Sequence, residues 1–79
     1  MKLTKTKIIA LISDEVIRSK MIHPNWVEDY IHGAGVVCEE SGELMKAALN
    51  HEYFGDSKDK MKEEAIHTAA TAIRFLENL

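Results

Sequence analysis

The chain has 79 residues, with ten Lys and Arg against thirteen Asp and Glu, for a formal charge of −3. That length allows one domain, spanning residues 1–79, whose own core is small, since so short a chain buries only about 60% of its unfolded surface on folding. The acidic balance leaves no footprint for a nucleic-acid polymer, and the single Cys38 excludes an intrachain disulfide and a cysteine zinc site.

Hydrophobic residues at 46%, with four Gly and one Pro, argue for an ordered helical protein. The basic start, Met1 to Lys7, is followed too soon by Ser13, Asp14 and Glu15 for a signal peptide or a membrane span. The expectation is a soluble cytoplasmic protein without a membrane partner. From Thr4 to Met21, Ile8, Ile9, Leu11, Ile12, Val16 and Ile17 recur at helical spacing, with Thr4 or Thr6 as the cap. Pro24 then ends the helix and pushes His23 towards an extended conformation. Trp26 and Tyr30 lie in the connector that follows. Trp26 either caps the core or offers a wall on which a planar base stacks.

A second helix is predicted from Val27 or Ile31 to His51. Within it Glu39-Glu40-Ser41-Gly42-Glu43 crowds three carboxylates onto one side. Like charges at this spacing cost a few tenths of a kcal/mol per pair, and Gly42 about 1 kcal/mol relative to alanine. Oxygen ligands this close suit a hard divalent cation, the alternative being a solvated acidic face. With Glu40 at zero on the helical wheel, Ala34, Val37, Leu44 and Ala48 fall between about +40° and +120°. The acidic patch is therefore expected to border the buried stripe, with Cys38 as a small packing residue outside it.

Tyr53 to Asp59 reads as a connector, with Gly55-Asp56-Ser57 as its turn, Tyr53 and Phe54 over the bundle end, and Ser57 or Asp56 as the next cap. The third helix is expected from Lys58 to Glu77. Met61, Ala65, Thr68, Ala69, Ala72, Phe75 and Leu76 make its stripe, while Ile66 and Ile73 lie on another side and call for cover from a second copy. Glu64 and His67 mark the edge of that stripe. Glu40-x-x-Glu43 on one helix and Glu64-x-x-His67 on the next would face each other across one groove if the helices run antiparallel.

These motifs, Glu39-Glu40-Ser41-Gly42-Glu43-Leu44 and Lys62-Glu63-Glu64-Ala65-Ile66-His67, resemble those of the MazG-like all-α nucleoside triphosphate pyrophosphohydrolases, in their short phage and bacterial form. That family carries EExxE on one helix and ExxD on the next, so His67 stands where the family has aspartate. The resemblance covers about Trp26 to Leu76. It implies a small all-α helical bundle completed by dimerisation, as a homodimer or tetramer. It further implies cleavage of a nucleoside triphosphate to the monophosphate and pyrophosphate, in nucleotide-pool housecleaning, with Mg²⁺ or Mn²⁺ as cofactor. By the same resemblance Glu40, Glu43, Glu64 and His67 are the metal positions. Glu39 holds a further ion or activates water beside Glu40, and Trp26, Lys46 and Lys62 meet the substrate. Lys58, Lys60 and Arg74 are further candidates for steering phosphates. The competing expectations are a catalytically degenerate helical dimer that binds a nucleotide or a protein, and a plain helical interaction module.

Overall fold

The computed structural model describes residues 2–79, which form three helices and no strand: α1 Lys5–Ile22, α2 Tyr30–Phe54 and α3 Lys58–Glu77. The all-α expectation holds. Each helix begins on a side-chain cap that satisfies an otherwise orphaned N–H. Thr4 accepts from the Lys7 amide at 3.2 Å, Asp29 from His32 at 2.7 Å, and Ser57 from Asp59 at 3.0 Å. α1 stops at His23, before Pro24. α2 starts at Tyr30, because the Asp29 cap fixes the entry and leaves Trp26 and Val27 outside the helix. It also runs past His51 to Phe54 and ends where Gly55 takes φ 73°, the left-handed conformation that glycine adopts without strain. Tyr53 and Phe54 are therefore helical and largely exposed, contrary to their expected packing over the bundle end.

The α2–α3 link is three residues, Gly55–Ser57, so the two helices fold back on each other as an antiparallel hairpin. α3 packs against both α1 and α2, whereas α1 and α2 do not pack on each other. α3 is thus the central element, flanked on two faces. That arrangement accounts for the Ile66 side of α3, which lines a groove against α1. Ile73 remains 36% exposed.

The buried stripe of α2 is displaced from its expected position. Gly33 and Ala47 are buried and Glu40 is half-buried, and all three lie within about 20° of Glu40 on the helical wheel. Ala34 is exposed, and Cys38 is an exposed thiol rather than a packing residue. The stripe is centred on Glu40 because glycine and alanine, not the larger aliphatics, face α3 where the helices approach. On α3, likewise, Glu64 is only 6% exposed and sits in the middle of the contact, while Leu76 points outward.

Close approach at Gly33 is tight. A Cβ there would lie 3.1 Å from a ring carbon of Phe75 and 3.2 Å from Nε1 of Trp26. Gly33→Val should overpack this contact at a cost of about 1–3 kcal/mol and lower the melting temperature by roughly 5–15 °C. An unchanged melting curve would show that Phe75 and Trp26 yield freely.

Among the described residues the buried apolar side chains are Val16, Ala47 and Ala70, and none of them is fully sealed from solvent. The chain exposes 6050 Å², whereas the usual surface–mass relation gives ~4,800 Å² for 8.9 kDa. Its radius of gyration, 13.4 Å, exceeds the ~11.6 Å expected of a compact domain of this length.

Candidate metal centre

Three side chains from two helices converge at the middle of the hairpin. A carboxylate oxygen of Glu40, one of Glu64 and a ring nitrogen of His67 all lie within 4.8 Å of one another. The i, i+3 spacing of Glu64 and His67 puts both on the α3 face that meets α2, and Glu40 comes from the centre of the α2 stripe. Divalent cations and imidazole or carboxylate ligands meet at about 2.0–2.2 Å. Two donors on one such ion lie at most about 4.4 Å apart, so a group within 4.8 Å surrounds one after closing in by a few tenths of an ångström at most.

Charge in the cluster is balanced locally. Lys60 Nζ lies 3.1 Å from Glu64 Oε1 and 3.3 Å from Glu63 Oε2, and these hydrogen bonds raise the Lys60 ammonium above its ordinary range. Burial raises the Glu40 carboxyl, and Glu64, Glu39 and Glu43 add to the push while His67 opposes it. Burial among these acids thus disfavours the charged form of Glu40.

α1 adds two groups that the motif reading missed. Glu15 Oε2 lies 3.6 Å from His67 Nε2, while Nδ1 of the same ring lies 3.9 Å from Glu64 Oε1. Glu15 is gripped by Arg18 through two hydrogen bonds of 2.7 Å, which hold its carboxyl below the usual range against the effect of burial. A signal for Glu15 did exist. It occupies a core-facing position of α1 between Ile12, Val16 and Ser19, at the i+3, i+4 and i+7 spacings of a buried stripe.

The other expected site residues divide. Glu43 is exposed and stays outside the three-residue cluster, reaching it only through its charge on Glu40. Glu39 is exposed beside it. Lys62 lines the α1–α3 groove with His67, and Lys46 is exposed away from the cavities near the cluster. Trp26 is brought to the site. It lines a cavity of about 460 Å³ that Glu40 and His67 also line. This cavity is the gap left because α1 and α2 do not touch, and Ala70 and Thr71 of α3 form its floor.

Among the described residues no helix is long and apolar enough to cross a membrane. No family model, curated protein or solved structure matches the chain.

Proposed function

We propose that the chain is a divalent-metal-dependent nucleoside triphosphate pyrophosphohydrolase acting as a homodimer. The observation that carries this is the convergence of Glu40, Glu64 and His67, of which Glu40 and His67 line a cavity that the single Trp26 also lines. A cation-binding cluster next to an aromatic wall matches a ligand that has phosphates at one end and a planar base at the other. Glu40, Glu64 and His67 would hold the ion, which is Mg²⁺ or Mn²⁺. When bound, such an ion neutralises phosphate charge and makes water a better nucleophile.

The remaining work falls to the chain itself. Glu40, with its raised affinity for a proton, and Glu39, exposed beside it, are placed to take the proton from an attacking water. Glu15 holds Arg18 at the cavity, where the guanidinium faces incoming phosphate oxygens. Lys60, which holds Glu64 when no ion is bound, becomes free to follow the phosphates once an ion replaces it. Pyrophosphate release from a panel of ordinary and modified nucleotides, with Mg²⁺ and Mn²⁺, tests the reading. No release from any of them would overturn it.

Dimerisation is supported by the outer face of α2. Ile31, Gly35, Cys38, Gly42, Met45, Leu49 and Glu52 follow a 4-3 spacing on the side away from Glu40, and all are exposed. No atom lies within 4 Å of a Cβ placed on Gly35 or Gly42, so a second helix has room to approach closely. The surplus of about 1,200 Å² over the usual surface–mass relation also exceeds the ~800 Å² per partner of a standard interface.

A second reading, a degenerate nucleotide- or protein-binding dimer, is favoured by His67 and by the outward position of Glu43, which leave the cluster with two carboxylates. Imidazole suits Mn²⁺ better than Mg²⁺. His67→Asp should therefore tighten Mg²⁺ binding by about tenfold and raise any hydrolysis, while His67→Ala does neither. Calorimetric titration showing equal Mg²⁺ affinity for His67→Asp and the parent would place residue 67 away from the ion.

A further inference from the structure

Among the described residues Arg74 is the one buried cation, at 6% exposed, and it lines the same cavity as Glu40 and His67. Among the described residues no carboxylate pairs with it. Its guanidinium makes one hydrogen bond, from Nη2 to the His23 carbonyl at 2.8 Å, and lies over the Trp26 ring at 5.3 Å from the centroid. Nε is buried without a partner. A buried guanidinium left with unused donors and no anion is costly, and the cost is relieved when a ligand supplies acceptors.

The position along α3 says which part of the ligand that is. Arg74 follows His67 by seven residues, so it sits on nearly the same face, about 10.5 Å further along the axis. Phosphates held at Glu40, Glu64 and His67 therefore leave the base near Trp26 and Arg74. A guanidinium has five N–H donors and no acceptor. It can satisfy a ring edge that presents a carbonyl oxygen and is opposed by one that presents an amino group in that place.

We propose that Arg74 selects nucleotides whose base carries a keto rather than an amino group on the edge facing it, such as hypoxanthine, guanine or uracil. The selection rests on the nucleotide reading given above. It does not depend on hydrolysis, only on the phosphates being held through an ion at Glu40, Glu64 and His67.

Matched pairs that differ at that one group give the test: inosine against adenosine 5′-monophosphate, and uridine against cytidine 5′-monophosphate. Each is titrated into the intact protein in the presence of Mg²⁺, following the indole N–H resonance of the single Trp26. The keto member of each pair should bind about tenfold or more tightly than its amino partner. Arg74→Lys keeps the charge but loses the fork, and should bring the two members within about twofold of each other. Equal affinity within both pairs for the unaltered protein, or no response of Trp26 to any of the four, would overturn the proposal without recourse to a variant. The same result is expected if Arg74 does no more than tether the connector through His23 and Trp26. Keto selection without pyrophosphate release would sink the hydrolase reading and keep this one. Release with no selection between the members of either pair would do the reverse.

Discussion

Glu40→Gln should abolish the metal-dependent rise in melting temperature and lower pyrophosphate release by about 10²–10³-fold, the range for removing one charge-stabilising group from a preorganised site. In the unaltered protein, an ion at a hundred times its Kd adds about 2.7 kcal/mol. For a domain of this length that is roughly 10 °C or more. Without an ion the sign reverses. Glu40 is half-buried among Glu39, Glu43 and Glu64, and its carboxyl is raised by burial, so the neutral amide should make the apo protein slightly more stable. The linkage agrees. A carboxyl whose folded pKa is raised binds its proton more tightly in the folded state, so apo stability from this group grows as pH falls through the folded value. The metal-dependent gain should fade over the same window, because the ion competes with that proton. Glu64→Gln should also lose the metal response, but it lowers apo stability, because Glu64 is buried and held by Lys60. Thermal melts of both variants with and without Mn²⁺ check this. Apo unfolding of Glu40→Gln would make its role structural.

Met45→Glu together with Leu49→Glu should convert a dimer of about 18 kDa into a monomer of half that mass and bring most of the chain below its folding threshold. The outer face of α2 carries Met45 at 61% and Ile31 at 87% exposure in the single chain, against three buried apolar side chains among the described residues. A chain with so little interior is marginal alone. If folding and association are one event, the melting temperature of the parent must rise with concentration. Each tenfold step adds about 1.4 kcal/mol, or ~4 °C for two chains unfolding together. Light scattering and melting at several concentrations read both effects. A parent that scatters as a monomer with a sharp, concentration-independent melt would remove the dimer.

The helices were legible because capping residues and breakers stand at their ends. Thr4 and Ser57 cap as expected, and Pro24 and Gly55 mark the stops. What periodicity misplaced was the α2 stripe. Weighting Val, Leu and Ala as the buried side assigned Glu40 to the border, whereas helix approach through Gly33 and Ala47 puts Glu40 at the centre. The same bias hid the outer seam of α2, whose Gly35, Cys38 and Gly42 carry little hydrophobic signal. Glu40, Glu64 and His67 could be found from their i, i+3 spacing, and the structure brings them together. Glu43 shares that spacing but points outward, since one turn of α2 can present only its central residue to α3. Glu15 stands in the buried stripe of α1 but carries no hydrophobic signal of its own, and the buried state of Arg74 depends on how the connector docks, which no local pattern encodes.

α1 is held by one neighbour. It packs on α3, where the Lys20–Glu77 pair at 3.0 Å also ties it, and leaves the gap towards α2 open. In terms of opening equilibria, the α2–α3 hairpin and α1 are then separate cooperative units, with α1 the first to detach and exchange its amides. A molecule lodged between Glu15 and Arg18 on one side and Val36 and Glu40 on the other would act as the missing cross-brace. Its binding free energy would appear as slowed exchange along α1, so this small fold draws part of its rigidity from what it holds.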